Sequence, residues 1–138
     1  MADTNTKARI IVVEDDPVLR TALTFALEIE GYAVTSCATG EALLATLLPE
    51  ANACLVIEHH LPGRDGLDAL KVLRKRGVTL PAILLAAHPR PGLTAAAARR
   101  GAAVLDKALI GPELARRVEE QLAGRELARQ VCGVLAHA

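Results

Sequence analysis

Short continuous runs of apolar residues alternate along this chain with segments in which apolar residues recur every three to four positions. A continuous run of about five apolar residues is typical of a strand buried on both faces of a parallel sheet, whereas the longer spacing indicates one face of a helix. Continuous runs predict strands within residues 9–13, 53–57, 82–87 and 102–105, and residues 32–37, where apolar and polar positions alternate, predict a further strand. The alternation of strands with helical segments predicts a doubly wound α/β fold, a five-stranded parallel sheet with helices on both faces.

The segments between these runs carry local signals for helices. Pro17 stands where the first turn of a helix tolerates proline, and we predict that this helix extends to Gly31. The other signals are two predicted N-caps, Thr39 and Asp65, an alanine-rich stretch ending at Arg100, and Pro112 at the start of the last helix. The predicted apolar faces hold Leu19, Ala22, Leu23, Ala26 and Leu27; then Ala42, Leu43, Leu47 and Leu48, before Pro49; then Leu67, Leu70 and Leu73, up to Gly77; then Leu114, Val118 and Leu122.

Composition and length indicate one folded domain. The chain has 138 residues, of which 51% are hydrophobic and 23% charged, and this balance excludes a disordered chain. We predict a flexible N-terminus over residues 1–7, one domain over residues 8–123, and a tail over residues 124–138. Apolar residues continue in the tail at four-residue spacing, at Leu127, Val131 and Leu135. The tail therefore either extends the last helix, docks as a short extra helix, or frays.

The charge balance and the rarity of aromatic residues argue against several binding functions. Sixteen basic and sixteen acidic residues give no net charge, and only Phe25 and Tyr32 are aromatic. We therefore expect no nucleic-acid partner, although Arg74-Lys75-Arg76, Arg99-Arg100 and Arg116-Arg117 form basic clusters. No apolar stretch is long enough to span a membrane, and no leader is recognisable. Three scattered cysteines suit reduced thiols, so we expect a cytoplasmic protein.

Candidate chemistry lies at the predicted carboxyl ends of the strands, where ligands bind in sheets of this kind. Strand one ends in Glu14-Asp15-Asp16, strand three is followed by Glu58, and strand five is followed by Lys107. Carboxylates that face one another repel, so either a cation lies among them or one pKa rises. Oxygen ligands of this kind suit Mg²⁺, and Lys107 would neutralise a carboxylate or bind a phosphate-like anion.

Other motifs add no chemistry. No glycine lies between Glu14 and Gly31, which excludes a P-loop or a dinucleotide fingerprint there, and no nucleophile elbow occurs. His59 and His60 follow Glu58, but adjacent side chains point in different directions and make a poor chelating pair. We interpret them as polar loop residues and expect no enzymatic activity.

Four blocks in order make the chain resemble the receiver domains of two-component response regulators, above all the single-domain chemotaxis regulators. The blocks are Ile-Ile-Val-Val-Glu14-Asp15-Asp16-Pro17-Val-Leu-Arg20, then Leu-Val-Ile-Glu58-His-His-Leu-Pro62-Gly63-Arg-Asp65-Gly66, then Pro81-Ala-Ile-Leu-Leu-Ala-Ala87, and Gly101-Ala-Ala-Val-Leu-Asp-Lys107. The resemblance covers residues 8–123 and implies a flavodoxin-like sheet with strand order 2-1-3-4-5.

The resemblance also implies roles for individual residues. In the family, an acidic pair after strand one helps to bind Mg²⁺, an aspartate after strand three accepts a phosphoryl group from a histidine kinase, and a lysine after strand five binds that group. The corresponding residues here are Glu14 and Asp15, Glu58, and Lys107. Glu58 would thus be both the residue at the acceptor position and a third oxygen ligand, and any bound Mg²⁺ would be weak or absent.

The chain departs from the family pattern at the residues that move on activation. Glu58 is one methylene longer than the usual aspartate and would be misplaced for in-line attack. The family's hydroxyl at the end of strand four is replaced by Ala86, its aromatic ring on strand five by Val104, and the proline after its lysine by Ala108. Glu58 imitates a phosphorylated aspartate poorly, with one charge against about −1.5 to −2.

These departures predict a stand-alone, atypical receiver of a bacterial two-component phosphorelay that acts by protein contact rather than by regulated phosphorylation. The expected partners are a sensor histidine kinase or a downstream signalling protein. A homodimer is expected through the helix 4–strand 5–helix 5 region, with Leu93, Ala95 to Ala98, Val104 and Leu109, or through the tail. The alternative is a working phosphoacceptor that uses Mg²⁺ and Glu58 unconventionally.

Overall fold

In a computed structural model of the chain, which describes residues 7–137 and the side chains of residues 7–124, five parallel strands form one sheet. The strand order is β2-β1-β3-β4-β5, as the resemblance implied. The strands are β1 (Arg9–Val13), β2 (Ala33–Cys37), β3 (Ala53–Glu58), β4 (Ala82–Ala86) and β5 (Ala102–Asp106). All five predicted strands are therefore present, with ends that differ by at most one residue from the predicted ones.

Helices connect every pair of consecutive strands, and a last helix follows β5. They are α1 (Pro17–Ile29), α2 (Gly40–Leu44), α3 (Gly66–Lys75), α4 (Pro91–Ala98) and α5 (Ile110–His137). The predicted N-caps are confirmed, since Thr39 Oγ1 accepts a hydrogen bond from Ala42 N–H at 3.0 Å and Asp65 Oδ1 accepts one from Asp68 N–H at 2.7 Å.

The hydrophobic core has one part on each face of the sheet. Residues of α2, α3 and α4, such as Leu43, Leu70 and Ala97, pack on one face. Residues of α1 and α5, such as Leu27 and Val118, pack on the other. Each strand contributes alternate side chains to the two parts, because successive side chains of a strand point to opposite faces. The interior strands β1, β3 and β4 are consequently apolar, apart from Arg9 at the start of β1 and Glu58 at the end of β3.

The second helix is shorter than its apolar spacing predicted. It ends at Leu44, and Leu47, which we expected on its apolar face, is 98% exposed. Two local effects account for this end. The Thr46 hydroxyl donates a hydrogen bond to Ala42 O at 2.7 Å, and Pro49 disfavours helical backbone in the residue before it. On α1, Ala22 and Ala26 are likewise exposed rather than on the buried face.

The last helix begins two residues before Pro112. The Ala108 N–H donates a hydrogen bond to Asp106 Oδ1 at 3.0 Å, which starts a 3-10 turn over Lys107–Leu109 that leads directly into α5. The backbone of α5 continues to His137, whereas the side chains of the tail, including Leu127 and Val131, lie outside the described residues. The predicted flexible segment 1–7 also lies outside them, apart from its last residue.

Candidate functional site

Two glutamates and one lysine meet at the carboxyl edge of the sheet. Glu14 follows β1, Glu58 ends β3, and Lys107 follows β5, so neighbouring strands hold the carboxylates side by side. The Lys107 Nζ lies 2.8 Å from Glu58 Oε2 and 3.4 Å from Glu14 Oε1. Sequence reasoning placed these three residues at this edge, and the structure brings them into direct contact.

Both carboxylates are withdrawn from solvent and tied to nearby backbone. Glu14 is 1% exposed and Glu58 is 3% exposed, while the Lys107 side chain is 28% exposed. Glu14 Oε2 accepts a hydrogen bond from Asp16 N–H at 3.2 Å, and Glu58 Oε1 accepts one from His60 N–H at 3.1 Å. The ammonium group of Lys107 therefore offsets part of the negative charge of two buried carboxylates, which would otherwise be costly to bury.

Burial and charge change the proton affinities in this cluster. Burial raises the pKa of Glu14 above its ordinary value, and the negative charge of Glu58 adds to this, although Asp16 N–H and Lys107 act in the opposite direction. Burial alone would lower the pKa of Lys107, but its contacts with Glu58 and Glu14 outweigh burial and raise that pKa. Lys107 consequently stays protonated across the physiological range.

Asp15 takes a different position from its neighbour Glu14. The side chain of Asp15 is exposed, whereas that of Glu14 is buried. The backbone carbonyl of Glu14 accepts a hydrogen bond from Arg20 Nη1 at 2.8 Å. Within the described part of the chain, no group of three or more His, Cys, Asp or Glu residues is arranged to hold a metal ion. Of the three predicted Mg²⁺ ligands, Glu14 and Glu58 are thus ion-paired with Lys107, while Asp15 is exposed.

The structure places the predicted switch positions around this cluster. Ala86 ends β4 beside β3 and is buried, and it offers a methyl group where the family has a hydroxyl. Val104 is partly buried and packs against the core, and Ala108 lies in the 3-10 turn. None of these three side chains can donate a hydrogen bond to a group bound at Glu58.

Sequence reasoning missed the role of Gly66, the first residue of α3. A Cβ at this position would lie 2.3 Å from Glu58 O and 2.9 Å from His59 Cα. The Gly66 N–H also donates a hydrogen bond to His59 O at 2.8 Å. The helix can thus approach the end of β3 only because residue 66 has no side chain, and the sole signal in the sequence is a glycine directly after the cap Asp65.

A polar pocket opens beside the cluster, between the ends of β3 and β4. It has a volume of about 710 Å³, and its lining includes His59, His60, His88 and Arg90. The His59 and His60 rings lie 5.1 Å apart with a tilt of 57°. Both residues lie in the loop between β3 and α3, as predicted.

Among the side chains that the structure describes, three of the five large exposed apolar ones lie on α1, and one lies in the predicted helix 4–strand 5–helix 5 region. Leu93 and Val104 pack against the core, whereas Leu109 is 49% exposed. On α1, by contrast, Val18 is 78% exposed, Phe25 64% and Ile29 67%. Residues 18, 25 and 29 share one side of a helix, opposite the buried Leu23 and Leu27. Sequence reasoning identified only the buried face of this helix.

Two of the other predictions concern cysteines and membranes. Cys37 and Cys54 are free and buried, while the side chain of Cys132 lies outside the described residues. Burial raises the pKa of Cys54 to about 12. Among the helices of the described residues, none combines the length and hydropathy that a membrane span requires.

Comparison with known proteins points to one family. The model of the response regulator receiver domain matches residues 10–119. The transcriptional regulatory protein FixJ of Azorhizobium caulinodans is 36% identical over 92 residues, which are 67% of this chain and 44% of FixJ. An uncharacterised 14.6 kDa protein of Leptolyngbya boryana is 39% identical over 94 residues, 67% of this chain and 72% of that protein. The chain spans less than half of the length of the first curated relatives.

Solved structures show the same fold. A CheY-like receiver domain protein from Methanospirillum hungatei superimposes with a TM-score of 0.80 at 24% identity, over 89% of this chain and 99% of that one. NtrX from Brucella abortus gives a TM-score of 0.82 at 25% identity, over 94% of this chain and 30% of NtrX. Receiver domains are signalling modules of two-component systems. The order of the strands, the position of the candidate site and the family match all agree. This chain therefore belongs to the response regulator receiver domains.

Proposed function

We propose that this chain is an atypical receiver of a bacterial, cytoplasmic two-component system that acts by protein contact, without regulated phosphorylation of its own. The observation that supports this proposal is the ion-paired cluster of Glu58, Glu14 and Lys107. The lysine that binds the phosphoryl group in the family is here engaged by two buried carboxylates. The positive charge of Lys107 is thus already engaged before any phosphoryl group arrives.

Chemistry at the acceptor position also argues against phosphoryl transfer. Such transfer depends on positioning of the acceptor oxygen and on stabilisation of the transferred group. Glu58 directs one oxygen to the His60 N–H and the other to Lys107, and Ala86 supplies no hydroxyl. A phosphoryl group at Glu58 would therefore have to displace the ion pair and would gain no contact with β4.

Mg²⁺ is proposed to bind weakly or not at all. Asp15 remains exposed, but Glu14 and Glu58 would have to release Lys107 before they could bind a divalent cation. Mg²⁺ demands near-octahedral geometry, and the longer glutamate side chains change the positions of both oxygens.

Receiver domains interact with histidine kinases and with downstream effectors, and we propose a partner of this kind for the exposed side of α1. Val18, Phe25 and Ile29 are exposed on one side of this helix, and clustered exposed apolar side chains are the sort of surface that marks protein contacts. The homodimer through the helix 4–strand 5–helix 5 region or through residues 124–138 remains a second proposal, for which Leu109 supplies one exposed apolar side chain.

Intact mass spectrometry tests the proposal. The protein is incubated with acetyl phosphate and Mg²⁺ beside a receiver domain that carries the usual aspartate and threonine. The account predicts no phosphoryl adduct on this chain while the comparison domain is modified. An adduct that disappears in Glu58→Gln would instead support the alternative, a working phosphoacceptor at Glu58, and would overturn the proposal.

A further inference from the structure

The chain has no net charge, but its charges are strongly separated along the sequence. Residues 14–68 contain ten Asp and Glu and two Lys and Arg, whereas residues 69–105 contain seven Lys and Arg and no acidic residue. The second segment comprises most of α3, the whole of α4 and the strands between and after them. Two of the three basic clusters noted in the sequence, Arg74-Lys75-Arg76 and Arg99-Arg100, lie in this second segment.

A groove between α3 and α4 collects these cations. It has a volume of about 350 Å³, and its charged lining residues are Asp68, Lys71, Arg74, Lys75 and Arg100. Lys71 and Lys75 are one helical turn apart on α3, and Arg100 lies just past the end of α4. The groove therefore presents cations from α3 and from the turn after α4 to the same space.

Three of these cations have no acidic partner within the described part of the chain. Lys71, Lys75 and Arg100 form no ion pair there, and the one acid in the lining, Asp68, is bound to Arg64 at 2.8 Å. Cations at the end of α3 complement the helix dipole, which accounts for Lys75. The helix dipole does not account for Lys71 in the middle of α3, nor for Arg100 beyond the last turn of α4.

Arg74 fixes the geometry of the groove. Its guanidinium donates hydrogen bonds to Arg100 O at 2.7 Å, Val78 O at 3.0 Å and Gly101 O at 3.4 Å. These bonds fasten the turn before β5 to the end of α3. The backbone at Arg100 is consequently held next to Lys71 and Lys75, so less conformational freedom is lost when an anion is bound.

We propose that the α3–α4 groove binds an acidic segment of a partner protein through Lys71, Lys75 and Arg100. Charge complementarity selects the anion, and the small size of the groove suits a short segment. A nucleic acid fits less well, because the acidic half of the chain repels a long polyanion. In addition, the two aromatic residues, Phe25 and Tyr32, lie on the opposite face of the sheet, where they cannot stack bases in the groove.

Fluorescence anisotropy with a labelled poly-glutamate peptide at low salt tests this site. The double variant Lys71→Gln/Lys75→Gln is expected to bind the peptide roughly tenfold more weakly than the wild type. The matched control is Arg116→Gln/Arg117→Gln, which removes the same charge from α5, where both arginines pair with Glu113. The control should bind within about twofold of the wild type.

Each of the other outcomes overturns the proposal. Equal weakening in the two double variants would show that net charge alone attracts the peptide. If the wild type did not bind the peptide, the groove would not be a site for acidic segments. A duplex DNA probe that binds more tightly than the peptide, and that is lost in Lys71→Gln/Lys75→Gln, would assign the groove to nucleic acid instead. Thermal unfolding of each variant establishes that the fold is intact.

Discussion

Replacing Lys107 by methionine would remove the cation from the cluster while leaving a side chain of similar length. Glu14 and Glu58 would then face each other, nearly fully buried, without a counter-charge. Breaking a buried ion pair from one side is strongly destabilising, because the remaining charge stays buried without a partner. The substitution therefore measures the cost of leaving the two buried carboxylates without their cation.

The distances from Lys107 to the two carboxylates set the size of the expected loss of stability. At an effective dielectric constant of about 20, unit charges separated by 2.8 Å and 3.4 Å attract by about 6 and 5 kcal/mol. Repulsion between the carboxylates and desolvation offset much of this attraction. Measured losses for broken buried pairs are about 3–5 kcal/mol, and the partial exposure of Lys107 places the expected loss near the lower end, at about 3 kcal/mol at pH 7.

The loss should depend on pH in a direction that the pKa of Glu14 sets. That pKa is already raised above its ordinary value of 4.5 by burial, and Lys107 opposes the rise. Without Lys107 the folded chain holds the carboxyl proton still more tightly than the unfolded chain. Stability then falls as the pH rises above 4.5, so the penalty of Lys107→Met should be smaller at pH 5 than at pH 7.

Urea unfolding followed by circular dichroism at the two pH values provides the test. The matched control is Lys75→Met, because Lys75 is an exposed lysine without an ion pair in the described part of the chain. The control should change the free energy of unfolding by less than about 0.5 kcal/mol. The reasoning is refuted if Lys107→Met costs no more than the control, or if its cost is the same at pH 5 and pH 7.

Three further predictions concern the fold around the site. Gly66→Ala should lower the free energy of unfolding by about 3 kcal/mol, because the added Cβ would overlap Glu58 O. The control Gly111→Ala should be tolerated, because a Cβ at that position has no atom within 4 Å. Equal stability of the two variants would contradict this prediction. Asp65→Ala should cost about 1 kcal/mol by removing the α3 cap, as thermal unfolding would show. Cys54 should resist iodoacetamide at pH 8 in the folded protein and react after unfolding, by peptide mass mapping, and labelling of the folded protein would contradict the raised pKa.

The strands and the contact between Glu58 and Lys107 were predictable because both follow from local pattern and topology. Continuous apolar runs mark interior strands, and parallel strands bring their carboxyl ends to one edge. The family resemblance supplied the strand order, and with it the neighbouring positions of β1 and β3. The residue types at positions 86, 104 and 108 could then be recognised from the sequence alone as departures from the family pattern.

Other features depend on tertiary contacts that a linear pattern does not contain. The early end of α2, with Leu47 exposed, results from a side-chain hydrogen bond and a proline that compete with the apolar spacing. The exposed apolar side chains on α1 have the same spacing as the buried face, so periodicity alone could not distinguish the two sides. The insertion of Lys107 between Glu14 and Glu58 depends on side-chain reach, and sequence reasoning had left Mg²⁺ as the alternative cation.

The central claim is that the ion-paired cluster does not respond to a phosphoryl group. Amide NMR spectra of the isotope-labelled protein, recorded before and after addition of Mg²⁺ and beryllium fluoride, a phosphoryl mimic, test it most directly. The account predicts unchanged amide signals for Glu58, Ala87 and Lys107 and for the whole of β5. Saturable shifts at these residues that spread along β5 would show that the site binds the mimic and switches, and would contradict the account.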